Sequence, residues 1–254
     1  ARAATRPSRD APLAKRQLPE AIHRLPGVHK AHQMNDSSAL SQPAHPSTRT
    51  PESGHLKVGA LVLAAGFSRR FGATKLLAAL PENRQISLFE QTLINLCMAL
   101  PTIVVVYRPE LRTQFHEIRD RAAQHYPGTV ITLVEFKQAE SGMGASLAFG
   151  ASHITDWDAA LVCLADMPYV MPSTYSLVAE SVRPESIVVP CYRGARGHPI
   201  AFGSAYLDEL RALAGDAGGR AILDMHSAKI FTLNVDDDGI LIDIDTQDDL
   251  DKRL

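Results

Sequence analysis

The sequence contains few cysteines and aromatic residues, and it has no excess of charge of one sign. Its three cysteines, Cys97, Cys163 and Cys191, are far apart and form no metal-ligand pair. We expect Cys97 and Cys163, which fall inside apolar runs, to be buried free thiols of a protein in a reducing compartment. The 26 Lys and Arg nearly balance the 28 Asp and Glu, so nothing indicates bulk attraction to nucleic acid or to a membrane.

Long apolar runs are also absent. No stretch approaches the roughly 18 consecutive apolar residues of a membrane span, and no apolar core of a secretory signal occurs near the start. These absences predict a cytoplasmic protein. The length of 254 residues predicts one domain, or one domain with a tail.

The first 55 residues differ in composition from the rest. They hold seven of the 16 prolines and five of the 10 histidines, and they contain no Phe, Trp or Tyr. Such a segment has too little apolar surface to offset the entropy of ordering. We therefore predict a mostly disordered extension over residues 1–55 and a domain over residues 56–254. Met34, the first methionine, is a candidate native start, and an organellar transit segment is the alternative.

From residue 58 onward, predicted strands and helices alternate. Strands are predicted at residues 58–64, 102–107, 130–136, 159–164, 187–189, 230–235 and 240–244, and helices at residues 87–100, 109–124, 145–154, 172–180, 204–213, 219–225 and 246–254. This alternation predicts an α/β fold with a mostly parallel sheet between two layers of helices. Asp-Gly within residues 236–239 predicts a hairpin turn between the last two strands.

Residues 58–75 form the most informative stretch, an apolar strand followed by small and basic residues. Small residues at positions 64–66 allow a backbone to approach a ligand closely, and a loop after a buried strand presents N–H groups to an anion. Arg70 and Lys75 supply charge for phosphate oxygens. The spacing fits neither a Walker A loop nor a dinucleotide fingerprint, and an ordinary strand-to-helix turn with solvated basic residues stays open.

Three later segments also carry candidate chemistry. Gly142 and Ser146 stand between a strand and a helix, as a ligand-binding turn or simply a capped helix start. Asp166 follows an apolar strand directly, which suits Mg²⁺, although a turn aspartate is the alternative. Asp216 is interpreted as a helix N-cap, although Gly218 and Gly219 at the start of that helix are another possible anion site. Residues 243 and 245 either bind a metal or only flank the closing helix, whose N-terminus favours negative charge.

These segments together resemble the MobA-like nucleotidyltransferases that act on molybdenum cofactor. The resemblance rests on six motifs. They are Leu-Ala-Ala-Gly-x-Ser-x-Arg-x-Gly-x-x-Lys from residue 63, Gly-x-x-x-Ser-Leu from residue 142, Leu-Ala-Asp-Met-Pro from residue 164, Gly-His-Pro from residue 197, Gly-Asp-x-Gly-Gly-Arg from residue 215, where alanine is usual at position 219, and Asp-Ile-Asp-Thr from residue 243. Ala65 stands where the guanylyltransferase branch has a second glycine, which favours the cytidylyltransferase branch. The resemblance implies a three-layer, Rossmann-like sandwich of the nucleotide-diphospho-sugar transferase type.

The resemblance also implies roles for particular residues. The implied nucleotide-binding residues are Leu63, Ala64, Ala65, Gly66, Arg70, Lys75, Gly142 and Ser146. The implied catalytic residues are Arg70, Lys75 and Asp166, the implied Mg²⁺ ligands are Asp166 and Asp245, and the implied acceptor-binding residues are Arg196 and His198.

The implied reaction joins the nucleoside monophosphate of an NTP, with CTP favoured, to the phosphate of a molybdopterin-type acceptor and releases pyrophosphate. A molybdoenzyme is an implied partner. The alternatives are a guanylyltransferase or sugar-phosphate nucleotidyltransferase on the same scaffold, and a non-catalytic factor that delivers molybdenum cofactor. A nicotinamide-dependent oxidoreductase is disfavoured by the missing dinucleotide fingerprint.

Overall fold

An eight-stranded mixed sheet forms the centre of the computed structural model, which describes residues 56–67, 71 and 74–251. The strands are β1 (Val58–Ala64), β2 (Thr102–Tyr107), β3 (Val130–Glu135), β4 (Ala159–Leu164), β5 (Ile187–Tyr192), β6 (Ala195–Arg196), β7 (Ile200–Gly203) and β8 (Ile230–Asn234). Their order is β3-β2-β1-β4-β7-β5-β6, and β8 pairs with β5. The predictions for residues 1–55 lie outside the described residues.

Most pairings in this sheet are parallel. β1 runs parallel to β2 and β4, β2 to β3, and β5 to β8, whereas β7 runs antiparallel to both of its neighbours, β4 and β5. The four strands β1, β2, β4 and β5 are almost entirely buried, which is why their sequences are continuous apolar runs rather than alternating ones. The predicted mostly parallel sheet is confirmed.

Helices cover both faces of the sheet. They are α1 (Leu88–Cys97), α2 (Arg112–His125), α3 (Met143–Ala151), α4 (Pro172–Ser181), α5 (Leu207–Arg211), α6 (Arg220–Met225) and α7 (Gln247–Asp251). Ser87 caps α1 as predicted, because its hydroxyl accepts a hydrogen bond from the backbone N–H of Glu90 at 3.2 Å. The Glu90 carboxylate pairs with Arg121 instead of completing a reciprocal capping box.

Two hydrophobic clusters divide the core between the faces of the sheet. Side chains of α1, α2 and α4 pack with Ala60 and Val62 of β1 on one face. Side chains of α3, α5 and α6 pack with Leu61 of β1 on the other face. The alternation along β1 therefore separates two helix layers, as the predicted three-layer sandwich requires.

Cys97 and Cys163 are buried free thiols, and burial raises the pKa of Cys97 to about 12.

The strand order creates a crevice at the carboxyl ends of β1 and β4. The chain leaves β1 toward β2 and β3 on one side and returns to β4 on the other side of β1. Loops that leave the carboxyl ends of β1 and β4 therefore diverge, and in open α/β sheets ligands bind at such a point. Among the described residues, no helix is long and apolar enough to cross a membrane.

The structure differs from the prediction over residues 236–244. The predicted hairpin and last strand are wrong, since residues 238–241 form a 3-10 turn instead. The buried carboxylate of Asp237 accepts hydrogen bonds from Gly239 N (2.9 Å), Met171 N (2.9 Å) and Thr174 Oγ1 (2.6 Å). These bonds fasten the turn to the start of α4, so a carboxylate that looks like part of an exposed loop is instead a tertiary connection.

Removal of the Asp237 carboxylate is expected to destabilise the protein. Asp237→Ala leaves the buried N–H of Gly239, the partly buried N–H of Met171 and the buried hydroxyl of Thr174 without this acceptor, which should lower the free energy of unfolding by about 3 kcal/mol. Asp236→Ala, an exposed neighbour, is the matched control and should change stability by less than about 0.5 kcal/mol. Urea denaturation measures both, and equal stabilities of the two variants would contradict this role of Asp237.

Candidate active site

A cleft of about 620 Å³ lies at the carboxyl ends of β1 and β4. Residues 63–67, which end β1 and follow it, line one wall, and Leu164 and Asp166 line the next. Lys75 and Leu76, the start of α3 with the turn before it, Asp216 and the segment before α7 complete the described lining. This volume is in the range of nucleotide-sized ligand pockets, and the position is the crevice that the strand order creates.

An ion cluster around a buried lysine lies in this cleft. The ammonium of Lys75 lies 2.7 Å from Oδ2 of Asp166 and 3.0 Å from Oδ1 of Asp245. Lys75 is 6% exposed. Burial by itself lowers the pKa of Lys75, but the two carboxylates overcome that effect and raise the net pKa above its ordinary value of 10.5. Lys75 is therefore positively charged at neutral pH.

The position of Asp166 depends on two buried polar side chains of α1. Thr92 Oγ1 donates to the carbonyl of Ala165 at 3.2 Å. Asn95 Nδ2 donates to the carbonyls of Pro168 and Val170, both at 2.9 Å. The loop after β4 has no regular hydrogen-bond ladder, so these donors satisfy its carbonyls and hold it against α1.

Asp245 is held by the start of α7. The Asp249 carboxylate accepts hydrogen bonds from Thr246 N (2.9 Å) and Thr246 Oγ1 (2.7 Å), while Asp249 N donates to Thr246 Oγ1 at 3.2 Å. This is a reciprocal capping box with aspartate in the third helical position. The N–H of Ile244 also donates to the carbonyl of Asp166 at 3.2 Å, which joins the two acidic segments directly.

The turn before α3 needs glycine. Gly142 has φ = 98°, which disfavours any residue with a Cβ. Its carbonyl accepts the hydroxyl proton of Ser146 at 3.2 Å, so the Ser146 oxygen keeps only its lone pairs for a ligand. Both residues line the cleft, as does Met143 between them.

His198 reaches the same edge of the sheet in a different way. Because β7 is antiparallel to β4, its first residue, Ile200, pairs with Val162 near the carboxyl end of β4. The residues before β7 are thereby brought toward Asp166. Burial lowers the pKa of His198, while the carboxylates of Asp166 and Asp243 act in the opposite direction, so both lie within electrostatic reach of the imidazole.

The described lining of the cleft is strongly acidic. It contains five carboxylates, those of Glu140, Asp166, Asp216, Asp243 and Asp245. Lys75 is the only cationic side chain among the described residues that line it. A triphosphate needs more positive charge than one ammonium provides, and carboxylates are the side chains that Mg²⁺ binds together with phosphate oxygens and water. The described residues contain no group of three or more His, Cys, Asp or Glu side chains that could hold a metal by themselves. Asp166 and Asp245 therefore fit a divalent cation as a pair of carboxylates whose remaining ligands are phosphate oxygens and water.

The structure brings most of the predicted residues to one place. Those that line the cleft are Leu63, Ala64, Ala65, Gly66, Lys75, Gly142, Ser146, Asp166 and Asp245. Arg70 lies outside the described residues. Arg196 is exposed in β6, and neither it nor His198 is a lining residue.

Two further acidic lining residues are not among those that the sequence predicts. Glu140 carries no distinguishing signal in the sequence. The interpretation of Asp216 as a helix N-cap is wrong, because α6 begins at Arg220 with Gly219 as its N-cap. The available signal is the glycines on either side of Asp216, since Gly215 and Gly218 have φ values of 61° and 48° and glycine-rich loops approach ligands and backbones closely.

Replacement of Lys75 tests the ion cluster. Lys75→Met removes the ammonium that pairs with Asp166 and Asp245, and we expect a loss of about 2 kcal/mol of unfolding free energy, because Asp245 is partly exposed. Lys57→Met, which removes a surface pair with Asp156, is the control and should change little. Thermal unfolding without divalent ions measures both.

The pH dependence of the stability difference between wild type and Lys75→Met is a second test of the ion cluster. Because the pKa of Lys75 is raised on folding, its stabilising contribution is complete below the unfolded value of about 10.5 and is lost as pH rises through the higher folded value. The stability difference between wild type and Lys75→Met should therefore be constant around neutral pH. A difference that disappears on going from pH 7 to 9 would contradict the cluster.

Comparisons with known proteins identify relatives of this fold and site. A family model described as MobA-like NTP transferase domain matches residues 60–230. The purine catabolism protein PucB of Bacillus subtilis (strain 168) is 31% identical over 197 residues, which cover 74% of this chain and 92% of PucB.

Solved structures share the architecture. Rv0371c from Mycobacterium tuberculosis H37Rv superimposes with a TM-score of 0.60 at 24% identity, covering 78% of this chain and 97% of Rv0371c. A Rv0371c structure in complex with manganese gives a TM-score of 0.58 at 23% identity, covering 77% and 97%. A nucleotidyl transferase from Methanothermobacter thermautotroptrophicus (Mth528) gives 0.62 at 20% identity, covering 78% and 95%.

These likenesses confirm the predicted nucleotide-diphospho-sugar transferase fold. The family model covers most of the described domain, including the loop after β1, the start of α3 and the loop after β4. The segments that line the cleft thus fall largely within the matched region. The chain therefore belongs to the MobA-like NTP transferase family of nucleotidyltransferases.

Proposed function

We propose that this protein is a Mg²⁺-dependent cytidylyltransferase that joins CMP from CTP to the phosphate of molybdopterin or molybdenum cofactor and releases pyrophosphate. The observation that carries the proposal is the Lys75 ammonium held between the carboxylates of Asp166 and Asp245. This arrangement combines one cationic group with two metal-ligand carboxylates at the edge of the sheet where such folds bind their ligands.

The reaction requires little covalent work from the protein. A phosphate oxygen of the acceptor attacks the α-phosphorus of CTP, a new P–O bond forms, and the bond between the α-phosphorus and the bridging oxygen breaks as pyrophosphate leaves. A phosphate monoester is already largely ionised near neutral pH, so no general base is needed. Catalysis then depends on positioning and on stabilising charge that develops on the phosphate oxygens.

The residues of the cleft divide these tasks. Asp166 and Asp245 would hold Mg²⁺, which when bound supplies positive charge next to the phosphate oxygens. Lys75 contributes a mobile ammonium that exchanges a carboxylate partner for a phosphate oxygen. Ala64, Ala65 and Gly66 permit the backbone after β1 to approach the nucleotide. Arg70 is proposed as a second cation on the triphosphate.

The acceptor would occupy the side of the cleft near β7. His198 lies within electrostatic reach of Asp166, and we propose that it orients the acceptor phosphate by hydrogen bonding. Arg196, exposed on β6 of the same segment, is proposed to meet the acceptor from the outside as a planar fork for a phosphate. A molybdoenzyme is the proposed recipient of the product.

The choice of nucleotide and acceptor rests on the sequence resemblance. Ala65 favours the cytidylyltransferase branch, and the Gly-His-Pro segment resembles the acceptor loop of that family. A delivery factor that holds molybdenum cofactor would bind it without chemistry. The buried lysine between two carboxylates favours an enzyme, because a carrier has no need for a metal and ammonium beside a triphosphate.

Pyrophosphate release with defined substrates tests the function. With molybdopterin and Mg²⁺, we expect release from CTP at least tenfold faster than from GTP, ATP or UTP, and no release after addition of a chelator. A preference for GTP would overturn the choice of nucleotide. Binding of molybdopterin without pyrophosphate release from any nucleotide would favour the delivery factor.

Two substitutions test the assigned residues. Lys75→Met and Asp166→Asn should each reduce pyrophosphate release by about 100-fold or more, because each removes a preorganised charge at the reacting phosphates. The surface variants Lys57→Met and Asp156→Asn are matched controls and should retain normal turnover. Circular dichroism establishes that each variant is folded at the assay temperature, and near-normal turnover of a folded Lys75→Met or Asp166→Asn protein would refute the assignment.

A further inference from the structure

The loop between α5 and α6 caps the start of α3. The carbonyl of Gly215 accepts hydrogen bonds from Gly144 N at 2.7 Å and Ala145 N at 3.3 Å. These are two of the N–H groups that a helix N-terminus normally offers to an anion. Because Gly215 occupies them, a phosphate cannot use them, and this end of the cleft is unsuited to the triphosphate.

The next residue, Asp216, presents its carboxylate at the same place. A Cβ built on Gly142 would lie 2.4 Å from Oδ1 of Asp216 and 2.5 Å from the Gly215 carbonyl carbon. The Asp216 carboxylate therefore packs against the Gly142 backbone, where no larger residue fits. Asp216 is exposed and lines the cleft, and it does not cap α6, which starts at Arg220 with Gly219 as its N-cap.

The side chains at this end of the cleft offer hydrogen-bond acceptors and no donors. An ionised carboxylate accepts hydrogen bonds and donates none. The hydroxyl proton of Ser146 is engaged by the Gly142 carbonyl, so Ser146 also offers only an acceptor. A wall with these two groups repels phosphate and matches the uncharged part of a nucleotide that carries donors, namely the ribose hydroxyls and an exocyclic amine of the base.

The ion cluster and the Asp216 carboxylate lie at different parts of the cleft, which agrees with phosphates at one end and the nucleoside at the other. Lys75, with Asp166 and Asp245, follows the ends of β1 and β4, whereas Asp216 stands at the start of α3, and all four line one cleft. A nucleotide with its phosphates at Lys75 turns its nucleoside toward the remaining lining. The carboxylate of Asp216 is the one charged group that the α5–α6 loop contributes to that described lining.

We propose that Asp216 is a specificity-determining residue, which selects the nucleotide by accepting a hydrogen bond from a donor on the nucleoside half, a ribose hydroxyl or the exocyclic amine of the base. This inference rests on the proposed function for the identity of the ligand. It adds a contact from a loop that the sequence assigns to helix capping.

Calorimetry with nucleotide analogues tests the contact. Wild type, Asp216→Ala and the control Asp224→Asn, which changes an exposed carboxylate of α6 outside the cleft, are titrated with CTP, 2′-deoxy-CTP and UTP in the presence of Mg²⁺. We expect wild type to bind one analogue about tenfold more weakly than CTP, the size expected for loss of a hydrogen bond to a charged group. Weak binding of 2′-deoxy-CTP identifies the ribose, and weak binding of UTP identifies the amine.

The variant separates a contact from a structural effect. Asp216→Ala should bind CTP about tenfold more weakly than wild type does, yet bind the sensitive analogue as wild type does, because the donor and its acceptor form one interaction. Asp224→Asn should match wild type with all three nucleotides. In pyrophosphate release, Asp216→Ala should raise the KM for CTP while kcat stays within about twofold.

Three results would overturn the inference. They are equal binding of all three nucleotides by wild type, unchanged CTP binding by Asp216→Ala, and an equal loss for all three nucleotides, which would show that the loop only supports α3. If the proposed function itself is wrong, the result differs from all three, because wild type would then neither bind CTP nor release pyrophosphate from it.

Discussion

Three charged residues from distant parts of the chain, Lys75, Asp166 and Asp245, meet in one ion cluster. To bury an ammonium costs several kcal/mol unless its partners are well placed, and Lys75 has its partners at 2.7 and 3.0 Å. The loop after β1, the loop after β4 and the segment before α7 must therefore keep fixed relative positions. Each of these segments lies outside the regular sheet, so the hydrogen-bond ladder cannot hold them.

Other buried polar groups hold the segments around the cleft in place. Thr92 and Asn95 bind the carbonyls of residues 165–170. Asp237 fastens the 3-10 turn to α4, and the carbonyl of Ile240 in that turn accepts from His198 N at 3.0 Å. These buried polar side chains thus fix the loops near the cleft, while the apolar residues hold the sheet and helices together.

The sequence is sufficient for features that depend on local pattern. Residues 102–107 and 159–164 are strands as predicted, since strands buried on both faces are continuous apolar runs. The location of the cleft follows from the rule that ligands bind beyond the carboxyl ends of such strands, and the same rule singles out Asp166 because it directly follows a predicted strand. The family resemblance adds Asp245, whose neighbours alone suggest a helix cap.

Features that depend on distant contacts are not accessible in this way. The four-residue strand β7 is too short to give a periodic signal, and its antiparallel direction follows from its place between β4 and β5. Asp237 looks like a hairpin residue because two of its hydrogen-bond partners, Met171 at the N-cap of α4 and Thr174 within α4, come close to it only once the chain is folded. Asp216 looks like a helix cap because Gly142, against which it packs, is remote from it in the sequence.

The reversed direction of β7 has a consequence for how such a site diversifies. Asp166 follows its strand, β4, whereas His198 precedes its own, β7, because an antiparallel strand starts where its neighbour finishes. Residues 193–199 therefore form a connection, with β6 inside it, that is anchored by β5 and β7 but shares no backbone with the loops after β1 and β4. Under the proposed function, exchange of this connection between relatives would alter the molecule that receives the nucleotide while the register of strands β1 to β4 stays intact.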